Sequence, residues 1–137
     1  MDVKECIELL YNLKNLDKKL LDLFEKKIGI SLTRFQIIVY LHESSFSTSK
    51  QISQSLEIDA AATTRHIKIL EKDGYVIKRR NKNNNREVLV ELSEKAFEEI
   101  RRCERETTVQ DIIGNEFTEK DLKDLVSLLN KFNKNFK

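Results

Sequence analysis

Residues 48–93 constrain the fold of this chain more than any other stretch, because each break in them carries the residue type that break requires. Thr48, with Gln51 three residues later, has the spacing of a capping box at a helix start. Ile52 and Leu56 then give that helix one apolar stripe. Asp59 suits the N-cap of a second helix, whose inward face is either Ala62, Ile67 and Leu70 or Thr63, Ile67 and Leu70. Gly74 follows the last periodic residue, where a left-handed C′ position favours glycine. Residues 75–80 and 87–92 have strand composition and alternation, separated by the polar, Asn-rich run 81–86. A short helix, a turn of three or four residues, a longer helix and a hairpin make a winged helix-turn-helix. That arrangement places its second helix in the major groove of DNA.

Charge is distributed in keeping with that placement. Between Asp59 and Arg86, eight cations (Arg65, Lys68, Lys72, Lys78, Arg79, Arg80, Lys82 and Arg86) face three anions (Asp59, Glu71 and Asp73), a net of +5. The whole chain carries only +2, so the rest is net acidic and the excess is local. A local basic surface on a helix-turn-helix is the electrostatic footprint of phosphate binding. The bland counterpart is a solvated lysine-rich face.

Residues 56–96 resemble the MarR (multiple antibiotic resistance regulator) family of dimeric transcription regulators. The resemblance rests on the run Ala62-Thr63-Thr64-Arg65-His66-Ile67-Lys68-Ile69-Leu70-Glu71-Lys72-Asp73-Gly74, with its Thr-rich start, Arg-His centre and Leu-Glu-x-x-Gly ending. The family's wing usually carries Asp-x-Arg; here the residues are Asn84-Asn85-Arg86, and a glycine common after the return strand is Ala96. The resemblance implies a mainly α fold with a small β-hairpin wing, flanked by N- and C-terminal dimerisation helices. It also implies a small effector, often aromatic or anionic, bound between the dimer helices and the DNA module. Tyr11, Arg34, Phe35 and Ile38 are the candidates to line that cleft, with Arg34 as the anion partner; the alternative, which their residue types favour, is core packing for Phe35 and Ile38 and plain surface exposure for Arg34.

The 137 residues are expected to form one MarR-like domain, with residues 1–30 and 105–137 as dimerisation helices and 31–100 as the DNA-binding module. The N-terminus lacks the cationic start and apolar run of a signal peptide, and no apolar run approaches membrane-spanning length. Cys6 and Cys103 are far apart in a strongly charged chain, which points to reduced thiols in the cytoplasm. With no proline and three glycines the chain should be mostly helical, Gly29, Gly74 and Gly114 each closing an apolar-periodic segment.

At the two ends, apolar residues recur at spacings of three and four. Cys6, Leu9, Leu13, Leu16, Leu20 and Leu23 form one seam, widened by Ile7, Leu10, Phe24 and Ile28. Leu122, Leu125, Leu129, Phe132 and Phe136 form another, behind a possible cap at Thr118. A long helix over residues 93–113 is expected to link the wing to this end, with Phe97, Ile100 and Thr107 on one face. Such broad faces point to a homodimer reading a palindromic operator; the alternative is a monomer whose ends pack on each other.

Roles within the module follow from faces. Ala60, Ala61, Thr63 and Thr64 open the recognition helix with small side chains that permit close approach to bases. Arg65 and Lys68 share its exposed side, and arginine is the commonest bidentate reader of guanine. Lys72, Lys78, Arg79 and Arg80 are assigned to phosphates and Lys82 to the DNA-facing set, with Ser49, Gln51 and Ser53 on the shorter helix as either further phosphate contacts or plain solvent-exposed residues. His66 is a phosphate contact or a packing residue. Arg86, at the wing tip, is expected to enter a minor groove.

Catalysis has little support. His42 and His66 are the only histidines, no nucleophile stands beside a base, and no CxxC or HxxxH pair offers a metal site. No cofactor or metal is expected. The reading is a dimeric, sequence-specific DNA-binding repressor relieved by a small molecule. One alternative is a thiol-based redox sensor of the same fold: Cys6 lies near where peroxide-sensing relatives carry a reactive cysteine, although the tyrosines that bond that thiolate are replaced by Leu21 and Leu32. Another is a winged-helix module that binds protein.

Overall fold

The computed structural model describes residues 1–136. The chain divides into two compact units, one covering Met1–Arg105 and the other running from Glu106 to the C-terminus. In the first, α1 (Val3–Ile28) and α2 (Leu32–Ser44) precede a two-residue strand β1 (Phe46–Ser47). The helix-turn-helix follows as α3 (Ser49–Leu56) and α4 (Ala60–Lys72), then the wing as β2 (Val76–Asn81) and β3 (Asn84–Leu92), and then α5 (Glu94–Glu106). The second unit holds α6 (Val109–Ile113) and α7 (Glu119–Asn135).

The helix boundaries are set by side chains that satisfy otherwise unpaired backbone groups. Asp2 and Glu5 form a reciprocal capping box on α1, as do Thr48 and Gln51 on α3. Asp59 Oδ2 accepts from the Ala62 N–H at 3.1 Å and starts α4. Gly74, at φ 84°, ends it in a left-handed conformation. The Tyr75 N–H returns to the Leu70 carbonyl (2.8 Å) and the Gly74 N–H to that of Glu71 (3.0 Å), the paired bonds of a Schellman exit.

Between α1 and β1, helix α2 supplies the centre of the core. Ile37, Ile38 and Leu41 are buried with Ile52 of α3, Ile67 and Leu70 of α4, Val76, Val90 and Leu92 of the wing, and Ala96 of α5. Each such side chain removed from water contributes about 1.5–3 kcal/mol before entropy is charged against it. α4 is therefore fixed by its Thr63–Ile67–Leu70 face, the second of the two faces that its periodicity allowed, while Ala62 is only half-buried. Phe97 and Ile100 of α5 pack against the same cluster.

The sheet is antiparallel in the order β1-β3-β2. Its first strand was not foreseen: two residues are too few to show alternation. The return strand runs longer than the expected 87–92 and the first strand is shifted by one residue from 75–80, so that the polar run 81–86 shrinks to a turn at Lys82–Asn83. Arg80 still pairs with Val88, but Asn81 pairs with Asn84, and residues 85–87 stand out as a bulge.

The helix expected over 93–113 breaks after Glu106. Thr108 and Asp111 form their own capping box and restart the chain as α6, because a Thr side chain that caps locally competes with helix continuation.

The seams at the two ends are real helix faces, and both are open. In α1 only Ile28 is buried, while Leu9, Leu13, Leu16, Leu20 and Leu23 remain 38–48% exposed. In α7, Leu125 and Leu129 are exposed along one face, and Phe132 stacks on the exposed C-cap residue Phe136 with ring centroids 6.3 Å apart.

Candidate nucleic-acid interface

The three-residue turn Glu57-Ile58-Asp59 joins α3 to α4 and is closed by Ser53, whose Oγ donates to the Ile58 carbonyl at 2.6 Å. This holds α4 with Ala60, Ala61, Thr64, Arg65, Lys68 and Lys72 all exposed on the face opposite its buried stripe. Thr64 turns its hydroxyl back to the Ala60 carbonyl (3.1 Å), leaving no spare donor on that side chain.

Thr63 is a correction. It is 0% exposed and donates to the Asp59 carbonyl at 3.0 Å, so it belongs to the core and not to the DNA-facing set. A threonine that bonds its own helix i−4 carbonyl can be buried without an unsatisfied hydroxyl, which is why its polarity misled. Gln51 is exposed, but its Oε1 already accepts from the Thr48 N–H (2.9 Å) and from Ser47 Oγ (3.1 Å). Its first role is the cap.

His66 is half-buried, and its Nδ1 lies 3.4 Å from Arg34 Nη1. The guanidinium only donates, so Nδ1 accepts and the ring proton sits on Nε2. Burial, with the charges of Arg34 and Arg65, holds its pKa below the ordinary imidazole value. A neutral, inward-bonded imidazole is a packing group; it brings no cation to a phosphate.

Strand alternation separates the wing cations that sequence proximity had grouped. Lys78 lies on the side of the sheet that meets α4, pairs with Glu71 (3.4 Å), and lines a groove of about 230 Å³ with Ser49, Thr64, Ile67, Val88 and Val90. Arg79 points to the opposite side, where it bonds Glu91 at 3.1 Å and lies over the Phe46 ring at 5.8 Å. Arg79 therefore does not join Lys78 in one phosphate-holding cluster. Arg80 alternates back towards Lys78 and is exposed.

Lys82 occupies the wing tip. Arg86, expected there, sits behind it in the bulge and lines a second groove, of about 440 Å³, with Thr48, Ser49, Lys50, Asn84, Glu87 and Val88. The two grooves share Ser49 and Val88. Asn84 does brace this segment, through its Oδ1 accepting the Arg86 backbone N–H at 3.1 Å. Lys50 belongs to this surface and was missed, although its place beside the Thr48 cap was readable.

The four effector candidates do not converge. Ile38 is 0% exposed inside the core and cannot line an open cleft, and Phe35 packs edge-on against Phe24 (6.0 Å, 86°). Tyr11 is exposed on α1 beside Ile7, Glu8 and Asn12. Arg34 borders a cavity of about 200 Å³ with Gly29, Ile30, Leu70, Asp73, Tyr75 and Lys95, separate from the more open pocket of about 390 Å³ that Tyr11 lines. Arg34 also pairs with Glu25 at 3.5 Å. A period-3.6 pattern cannot tell a core apolar residue from a cleft-lining one; of the two readings open for Phe35 and Ile38, core packing is the one found.

Among the described residues no group of three or more His, Cys, Asp or Glu is arranged to hold a metal, and no helix is long and apolar enough to cross a membrane. Cys6 is exposed and Cys103 half-buried; both are free thiols.

Known proteins share this architecture. Residues 30–88 match the MarR family. The uncharacterized HTH-type transcriptional regulator YdgJ of Bacillus subtilis (strain 168) is 33% identical over 113 residues, covering 81% of this chain and 69% of the relative. A mutant of E. coli MarR complexed with operator DNA matches with a TM-score of 0.81 at 23% identity, over 96% of this chain and 99% of that one. The organohalide-sensing transcriptional regulator RdhR, in its 2,4-dichlorophenol-bound form, matches with a TM-score of 0.81 at 17% identity, over 98% of this chain and 82% of that one. The two structural likenesses carry the fold, and the family match together with the B. subtilis relative carries the family: this chain belongs to the MarR family of transcriptional regulators and has its DNA-binding winged-helix fold.

Proposed function

We propose that this chain is a homodimeric, sequence-specific DNA-binding repressor of transcription, released by a small aromatic or anionic effector. One observation carries the DNA-reading half. α4 is anchored through Thr63, Ile67 and Leu70 and presents Ala60, Ala61, Thr64, Arg65 and Lys68 together on its open face. Small residues allow close approach to base edges and Arg65 can make bidentate bonds to guanine, while Lys72, Lys78 and Arg80 hold phosphates and Arg86 reaches a minor groove beside them. Such regulators read paired half-sites on a palindromic operator.

The open apolar faces of α1 and α7 support the dimer. Leucines left 38–48% exposed along α1 would carry a standing cost in water that a second copy removes. The cavity beside Arg34 and the dichlorophenol bound to RdhR support a small aromatic effector.

The test is selection of duplexes from a randomised library, followed by binding of the enriched consensus and of a random duplex across a salt series. A steep salt dependence is expected on both duplexes. Arg65→Ala should cost about 1–3 kcal/mol on the consensus and relax base preference, whereas Lys72→Ala should weaken both duplexes alike and flatten the salt slope by about one. No enrichment by the wild type, with a flat salt response, would reject DNA reading in favour of a protein-binding module. Sedimentation decides the dimer: Leu16→Asp should give monomer or unfolded chain, since it buries an unpaired carboxylate. A folded wild-type monomer at micromolar concentration would reject it.

A further inference from the structure

Lys95 stands where helix electrostatics disfavour it. It occupies the first turn of α5 directly after Glu94, and a cation there opposes the positive end of its own helix. Its side chain leaves that helix. It crosses Gly74, where a Cβ would lie 3.6 Å from Lys95 Cδ, places Nζ 4.6 Å from the Tyr75 ring centroid, and donates to the Asp73 carbonyl at 2.6 Å. Asp73 is the C-cap of the recognition helix, so the cation sits at the negative end of α4 instead.

Ser93 acts beside it. Its Oγ donates to the Gly74 carbonyl at 2.5 Å and its N–H to the Tyr75 carbonyl at 3.0 Å. Three successive carbonyls at the exit of the DNA-reading helix, those of Asp73, Gly74 and Tyr75, are thus held by donors from two residues at the head of α5. A helix end needs its last carbonyls satisfied, but solvent would do this for exposed ones without fixing any geometry. Donors from a second helix add a fixed angle between the two.

We infer that Lys95 is a positioning residue for DNA recognition: through the Asp73 carbonyl and the Tyr75 ring it locks the exit of α4 to α5 and so sets the angle at which α4 is presented to base edges. It touches no base and no phosphate. The inference rests on the base-reading role proposed for α4 and adds what holds that helix in register.

The experiment compares wild type, Lys95→Met and Lys95→Arg on two probes, the consensus duplex enriched by the wild type from a randomised library and a random-sequence duplex of equal length. Lys95→Met keeps the aliphatic stem and removes the donor and charge. It should lower the ratio of consensus to random binding about three- to tenfold, the weight of one ordinary hydrogen bond, since exposure to solvent offsets the gain from charge. The salt slope on the random duplex should stay unchanged. In the free protein the Gly74 and Tyr75 amides should exchange faster, and Lys95→Arg should restore both readouts. Equal weakening on the two probes with the slope reduced by about one would make Lys95 a phosphate contact and overturn the inference. Faster exchange with an unchanged ratio would reduce it to a stability residue and overturn it equally. If the wild type enriches no consensus, the base-reading proposal fails and takes the inference with it. If the wild type enriches one and Lys95→Met matches its ratio, only the inference fails.

Discussion

Replacing Glu57 should stabilise this protein. It caps the end of α3 at φ 54°, ψ 45°, in the left-handed region, and its backbone N–H returns to the Ser53 carbonyl. A left-handed conformation costs a residue with a Cβ about 1–2 kcal/mol. The Glu57 side chain is exposed, so little contact is lost by changing it. Glycine removes the steric cost but gives back about 0.5–1 kcal/mol through the greater freedom of the unfolded chain, leaving a net gain of about 0.5–1 kcal/mol. Asparagine, which tolerates this conformation through local hydrogen bonding, should gain about half a kcal/mol. Glutamine removes the charge and keeps the strain, so Glu57→Gln should be neutral. Denaturant titration at one fixed protein concentration reads the series, and equal m-values establish that only stability moved. The expected order is glycine, then asparagine, then glutamine level with wild type. A glycine variant less stable than wild type would mean that the turn draws its stability from Glu57 itself, and the strain argument would be wrong.

Two further outcomes bear on residues whose roles the structure revised. Thr63→Val should cost less than about 1 kcal/mol, because the Asp59 carbonyl it releases still accepts the Thr63 N–H at 2.9 Å, and affinity for the selected duplex should stay within about twofold. A loss of about tenfold in affinity with stability intact would return Thr63 to the DNA-facing set. His66 should make folding sensitive to acid. Its folded pKa lies below that of a free imidazole, so as pH falls through the free value the unfolded chain takes up the proton first and stability drops until the folded form titrates too. The stability of wild type relative to His66→Asn should therefore fall as pH is lowered from about 7.5 to about 5, whatever the size of their difference at the alkaline end. A constant offset would mean that His66 is not held neutral.

Local chemistry made the helix-turn-helix legible before any coordinates. Thr48 with Gln51, Asp59 before an apolar-periodic run, and Gly74 after it each act within four residues, and each cap is found where those residues stand. The break after Glu106 is legible by the same grammar, since Thr108 and Asp111 have capping-box spacing. Strand alternation was equally available and separates Arg79 from Lys78; grouping by sequence proximity ignored it. What could not be read is contact across distance. Arg34 meets His66 from 32 positions away and Lys95 meets Asp73 from 22, and neither meeting leaves a local trace beyond a cation placed against its own helix dipole.

The wing shows how a departure from the family pattern is absorbed. Asn84 stands where the family usually has aspartate, and an amide can hold a guanidinium only more weakly than a carboxylate does. The side chain instead accepts the Arg86 backbone N–H at 3.1 Å, inside the bulge that begins where Arg80–Val88 pairing gives way to Asn81–Asn84. An amide oxygen serves that purpose, because what is fixed is the backbone from which Arg86 projects. Asn84→Ala should release that backbone. Arg86 would then have to be ordered on binding, and affinity for a consensus duplex with A·T-rich flanks should fall several-fold, about 0.5–1.5 kcal/mol for one local hydrogen bond. Asn84→Asp keeps an acceptor and should hold the bulge, with any loss confined to low salt where its charge meets phosphate. Arg86→Ala should lose more on A·T-rich than on G·C-rich flanks, since a narrow minor groove attracts a guanidinium most strongly. The double variant decides whether the two residues act as one device. If Asn84 works by positioning Arg86, then Asn84→Ala has nothing left to disturb once the arginine is gone, and the double variant should bind like Arg86→Ala alone. Additive losses would mean that Asn84 serves the wing independently of Arg86, and the account of the bulge as its platform would have to be abandoned.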